Sequence, residues 1–152
     1  MSDDRDVAPE GGVGDLEGSV GYALKLAATA LRVALDRDLR ALELTVSQYS
    51  CLEVLGQRPG LSNSELARAT FVTRQTMNEV LRGLQARDLL TRPATATSGR
   101  SRPVELTAAG RRALAEASAV VAAVEQRMVA ALPAGRRARF LEDLRHCVQA
   151  LG

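Results

Sequence analysis

The sequence predicts a mainly α fold, with long amphipathic helices at both ends and a group of short helices closed by a small β-hairpin between them. Three observations predict it. Apolar residues recur at spacings of three and four over most of the 152 residues, Thr45, Ser62 and Thr73 stand where helix N-caps belong, and two proline-bearing apolar segments flank a Thr-, Ser- and Gly-rich stretch.

Residues 1–15 lack apolar periodicity and carry several Gly and acidic residues, so they read as a flexible acidic tail. From Ser19 to about Glu43, Leu24, Ala28, Leu31, Leu35, Leu39 and Leu42 form the stripe of a first helix. Thr45 with Gln48 is a capping box opening a second helix that runs to about Gly56 or Gln57, and Arg58-Pro59-Gly60 makes the turn after it. Ser62 with Glu65 opens a short third helix ending near Ala69, with Leu61 and Leu66 as a hydrophobic staple.

Thr73 opens a fourth helix only a few residues later, with Val72 and Met77 as its staple, and this spacing is a helix-turn-helix. Along that helix Met77, Val80, Leu81 and Leu84 share one face, which sets Gln75, Glu79, Arg82 and Ala86 opposite and Thr76 and Asn78 on the flanks. Segments 89–93 and 101–106 read as a two-stranded hairpin held at an edge by Pro93 and Pro103. From Thr107 a helix of about 25 residues carries Leu114, Ala117, Val121, Val124, Met128 and Leu132 as a packing seam, and Pro133 stops it. Phe140, Leu141, Leu144, Cys147, Val148 and Leu151 mark a last amphipathic segment.

Composition narrows the class. The chain is 46% apolar, 25% charged and 3% aromatic, suiting one domain, and its two cysteines are too few for a disulfide scaffold, which points to a reducing compartment. No stretch approaches the roughly 20 apolar residues of a membrane span, and the acidic, Gly-rich start is no secretory signal, so a cytoplasmic protein is expected. His146 is the lone histidine, so neither a His-based metal site nor a Ser-His-Asp triad can be assembled within one chain. No enzymatic activity, metal or cofactor is therefore expected. Net charge is only +2, yet residues 68–112 hold nine arginines against Glu79, Asp88 and Glu105, a local excess of +6 on a body of −4. Such a patch suits a polyanion partner.

Three stretches in this order resemble the MarR (multiple antibiotic resistance regulator) family of winged helix-turn-helix transcription factors. Leu44-Thr45-Val46-Ser47-Gln48-Tyr49 resembles its L-T-x-x-Q-aromatic entry to the second helix. Thr73 through Arg92 resembles its recognition helix and exit, with Asp88 where the family usually has Gly, which implies a tighter or shorter backbone there. Ser98 through Arg111 resembles its wing, with Ser98 in place of the usual Asp. Each is weak alone, but the three at the family's spacing are specific.

The resemblance implies a mainly α, winged helix-turn-helix fold with a small β-hairpin wing and long N- and C-terminal dimerisation helices. Residues 44–107 would form the DNA-binding domain, and 16–43 with 108–152 the dimerisation region. A homodimer would set two recognition helices in successive major grooves of a pseudo-palindromic operator on double-stranded DNA. The apolar stripes of the end helices, more than the winged domain can cover, also ask for a second copy.

Thr73, Arg74, Gln75, Thr76 and Asn78, at and just after the start of the fourth helix, are the candidate base-edge group: Arg suits guanine, Gln or Asn adenine, and Thr a thymine methyl. Arg82 is expected at phosphate, as are Ser62, Asn63 and Ser64. Arg100 and Arg102 are expected at a minor groove. The function that follows is a repressor whose DNA affinity falls when a small aromatic or anionic effector binds. Two alternatives remain open at this point: a thiol-based redox-responsive regulator of the same fold using Cys51, against which stands that residue's place in an apolar run, or a helical dimerisation or adaptor protein that binds no DNA.

Overall fold

The structure is a computed structural model, and it describes residues 14–92 and 103–152. The expected tail, the hairpin tip and Arg100 and Arg102 thus lie outside the described residues, apart from Gly14 and Asp15. The chain divides into two units, Met1–Ala30 and Leu31–Gly152. In the first, Asp15 caps a single 3₁₀ turn at Leu16–Gly18 by accepting from the Glu17 N–H, and the Ser19 hydroxyl accepts from the Tyr22 N–H at 3.2 Å as helix α1 (Val20–Leu39) begins. The apolar residues here, Val20, Tyr22, Leu24 and Leu26, are all exposed.

The second unit holds the core. After α1 come α2 (Val46–Gln57), α3 (Asn63–Ala69), α4 (Arg74–Ala86), β1 (Leu90–Thr91), β2 (Glu105–Leu106), α5 (Ala108–Ala130) and α6 (Arg136–Leu151). Helix α2 is central and packs on α3, α4, α5 and β2. Leu39, Leu52, Leu66, Met77, Leu81, Leu84, Leu90 and Val104 are fully buried around it. Each such side chain contributes about 1.5–3 kcal/mol relative to an exposed one.

The N-caps are where the sequence places them. Thr45 and Ser62 form complete capping boxes with Gln48 and Glu65, and the Thr73 hydroxyl accepts from the Thr76 N–H at 3.1 Å. The C-caps are less conventional. Helix α1 gives way at Leu39 to a 3₁₀ turn at Arg40–Leu42, short of the α-helix expected through Glu43, because Glu43 turns left-handed at φ 55° and the Leu44 N–H reaches back to the Leu39 carbonyl. The same device ends α3 at Phe71 (φ 59°) and α4 at Asp88 (φ 56°), where Val72 and Leu89 donate to the carbonyls of Ala67 and Leu84. These are Schellman motifs built without glycine. At Asp88 the expectation of a tighter or shorter backbone is overturned: the chain follows the path a glycine would take.

The hairpin base is an antiparallel pair, Leu90 opposite Leu106 and Thr91 opposite Glu105. Of the expected 89–93 and 101–106, the described residues pair at Leu90–Thr91 and Glu105–Leu106, and the Thr107 N–H donating to the Leu89 carbonyl at 3.1 Å continues the same register. Thr107 caps α5 from there: its hydroxyl accepts from the Gly110 N–H and donates to the Asp88 carbonyl at 2.6 Å. Gly110 lies so close to β1's approach that a Cβ on it would stand 1.9 Å from the Leu89 carbonyl oxygen. Helix α5 ends at Ala130, before Pro133, with Ala117, Val121 and Val124 of the expected seam buried and Met128 exposed. Helix α6 buries nothing in this chain.

Candidate nucleic-acid interface

The inner and outer faces of α4 divide as their 100° step requires. Met77, Val80, Leu81 and Leu84 are buried, whereas Arg74, Gln75, Asn78, Glu79 and Arg82 are exposed and Thr76 is half-buried. A rigid helix therefore holds a polar face outward with its own apolar face fixed in the core. The Thr73 hydroxyl is engaged twice, accepting from the Thr76 N–H and donating to the Thr76 hydroxyl at 3.0 Å. Arg74 and Gln75 make no side-chain hydrogen bond among the described residues and can meet a ligand without first breaking one.

Helix α3 supplies the second part. Its capping box consumes the Ser62 N–H, which donates to the Glu65 carboxylate at 2.7 Å, and the Ser62 hydroxyl, which accepts from the Glu65 N–H. That cap holds the Glu65 carboxyl below the usual range. The amides of Asn63 and Ser64 follow it in the first turn. The Asn63 side chain, a candidate for phosphate, instead donates from Nδ2 to Oδ1 of Asn78, while its own Oδ1 is buried without a partner. The structure thus joins two of the expected contact residues to each other. Periodicity cannot find such a pair, because it spans 15 residues between two helices.

Not every arginine of the basic segment is free for a partner. Arg87 donates to the carbonyls of Glu43 at 2.6 Å and Leu42 at 3.5 Å, capping the 3₁₀ turn between α1 and α2. Arg68, Arg111 and Arg112 are exposed with Arg74 and Arg82. Between α2, β2 and α5 a depression of about 470 Å³ has Leu55, Leu106 and Leu114 in its lining together with Arg111 and Glu105.

The cysteines separate clearly. Cys51 is fully buried and burial pushes its thiol up to about 12, whereas Cys147 is exposed on α6. Buried Tyr49 is likewise pushed up to about 12, first by burial and then by the neighbouring Glu53 carboxylate. No described helix is long and apolar enough to cross a membrane.

Two short helices joined by a tight turn, the second with its polar face outward, followed by a β-hairpin, define a winged helix-turn-helix protein. Comparison with known proteins carries this further. The sequence model of the MarR family matches residues 42–101. Over 121 residues the chain is 44% identical to the HTH-type transcriptional repressor Rv2887 of Mycobacterium tuberculosis, covering 80% of this chain and 87% of the repressor. The chain belongs to the MarR family of transcriptional regulators. Among solved structures, Rv2887 in complex with DNA matches with a TM-score of 0.75 at 38% identity, covering 86% of this chain and 98% of that one. Rv2887 in complex with salicylic acid matches at 0.71 and 41%, covering 89% and 97%.

Proposed function

We propose that this chain is a homodimeric repressor that binds a pseudo-palindromic operator on double-stranded DNA in the cytoplasm and is released by a small aromatic or anionic effector. The observation that carries the reading is the outward polar face of α4, held over a fully buried apolar face in a fold shared with a DNA-bound relative. Thr73, Arg74, Gln75, Thr76 and Asn78 form the base-edge group, and Arg82, Ser62, Asn63 and Ser64 address phosphates. Arg100 and Arg102 enter a minor groove. Residues 44–107 act as the DNA-binding domain, while 16–43 and 108–152 pair with a second copy. The exposed Phe140, Leu141, Val148 and Leu151 of α6 support that pairing.

The effector reading rests on the salicylic acid complex of Rv2887, and the depression lined by Leu55, Leu106 and Leu114 offers Arg111 as a cation for an aromatic acid, beside the Glu105 carboxylate. An effector acts only by favouring the state that does not fit DNA. The chain is not assigned an enzymatic role. A redox switch through Cys51 is disfavoured, since a buried thiol pushed up to about 12 supplies little thiolate.

Footprinting of the purified protein on the DNA beside its own coding region tests the proposal. Protection of two half-sites about 10 base pairs apart is expected, with a binding constant that falls with salt at a log-log slope near −0.9 per phosphate contacted. No protection, or a flat salt response, overturns it and leaves the adaptor reading.

A further inference from the structure

Phe71 is the one large apolar side chain between Val33 and Met128 that is exposed among the described residues, and it is 95% so. It also sits at φ 59°, a left-handed conformation that glycine adopts readily and a bulky residue resists. The turn does not need the ring. Its two hydrogen bonds, from the Val72 N–H to the Ala67 carbonyl and from the Phe71 N–H to the Arg68 carbonyl, are made by backbone alone. A phenyl group that is both strained in its backbone and bare to water contributes nothing to the unit that carries it.

Its surroundings indicate what covers it. Phe71 lies two residues before Thr73, the N-cap of α4, and between the exposed guanidinium-bearing residues Arg68 and Arg74. Two copies of this surface would bring like charges together, whereas an anionic polymer with apolar faces between its charges fits it. We propose that Phe71 is a further DNA contact, its ring packed on the deoxyribose of the strand bordering the groove that α4 enters, with Arg68 at a flanking phosphate. This inference rests on the DNA-binding function proposed above.

The test uses the full chain and the duplex identified by footprinting, with affinity read by fluorescence anisotropy. Phe71→Gly suits the left-handed turn, so its melting temperature should equal or exceed that of the wild type, which separates loss of binding from loss of fold. Affinity should fall about tenfold, with the salt slope unchanged because no charge is removed. Phe71→Leu, which keeps an apolar group, should bind more tightly than Phe71→Gly. Arg68→Ala in parallel should instead make the slope shallower. Phe71→Gly binding within twofold of a wild type that binds normally would overturn this inference alone. A wild type that retains no duplex overturns it together with the proposed function. If the variant loses its dimer as it loses affinity, the ring belongs to a protein contact and the assignment fails. Replacing operator thymines by deoxyuridine should leave the ratio of wild-type to Phe71→Gly affinity unchanged, and collapse of that ratio would reassign the contact to a thymine methyl.

Discussion

Substituting Gly110 by Ala sets two effects of opposite sign against each other. Gly110 lies in the first turn of α5, where alanine is the better helix former by about 1 kcal/mol, so helix propensity alone predicts stabilisation. The structure predicts the reverse. A Cβ there would stand 1.9 Å from the Leu89 carbonyl oxygen, against about 3.3 Å for an ordinary carbon–oxygen contact, so α5 or the strand approach must retreat by roughly 1.4 Å. That retreat strains the Thr107 hydroxyl bond to Asp88 at 2.6 Å and the Thr107 N–H bond to Leu89 at 3.1 Å. Two hydrogen bonds at about 1 kcal/mol each, with about 1–3 kcal/mol for overpacking, outweigh the propensity gain and leave a loss of about 3 kcal/mol. For a chain of this size the melting temperature should fall by about 10 °C. The measurement is circular dichroism melting at one fixed protein concentration, since the proposed pairing would make the midpoint concentration-dependent. An unchanged or higher midpoint for Gly110→Ala would refute the packing argument.

Three further outcomes follow from other parts of the fold. Asp88→Gly should raise stability by about 0.5 kcal/mol, by relieving a left-handed non-glycine residue, while the β-branched Asp88→Val should lower it by about 1 kcal/mol, both read as shifts in urea midpoint at constant m. Arg87→Ala removes the side-chain cap on the Glu43 and Leu42 carbonyls and should cost about 1 kcal/mol, with Arg87→Lys restoring only part because it has no planar fork. A thiol reagent at pH 8 should modify Cys51 only after denaturation. Because the folded Cys51 thiol is raised from 9.0 to about 12, its contribution to stability is complete below pH 9 and is lost as pH climbs toward 12, so Cys51→Ala should lose less stability across that window.

What could be read from the sequence was local. Thr45, Ser62 and Thr73 declare their helices because an N-cap depends on residues two or three positions away, and all three cap as their spacing implies. The buried stripe of α4 was equally legible, since a strong 3.6 period survives any context. The helix ends were not: Glu43, Phe71 and Asp88 give no glycine signal, so their left-handed turns are set by the backbone bonds that close them. Nor could pattern reading place Asn63 against Asn78, or Arg87 under Glu43, because these meet only after the helices pack. Nothing in the sequence pattern singles out Phe71, and only its exposure sets it apart.

The bonds that Thr107 makes fasten the exit of α4, the foot of the hairpin and the first turn of α5 into a single joint. A displacement of α5 would therefore have to break these bonds or carry the hairpin's foot and the end of α4 with it. In a paired assembly, a wedge that splays the long helices would alter the pitch of both reading heads at once. Control of such a protein then requires no signal to travel through loops, only leverage on one hinge pin.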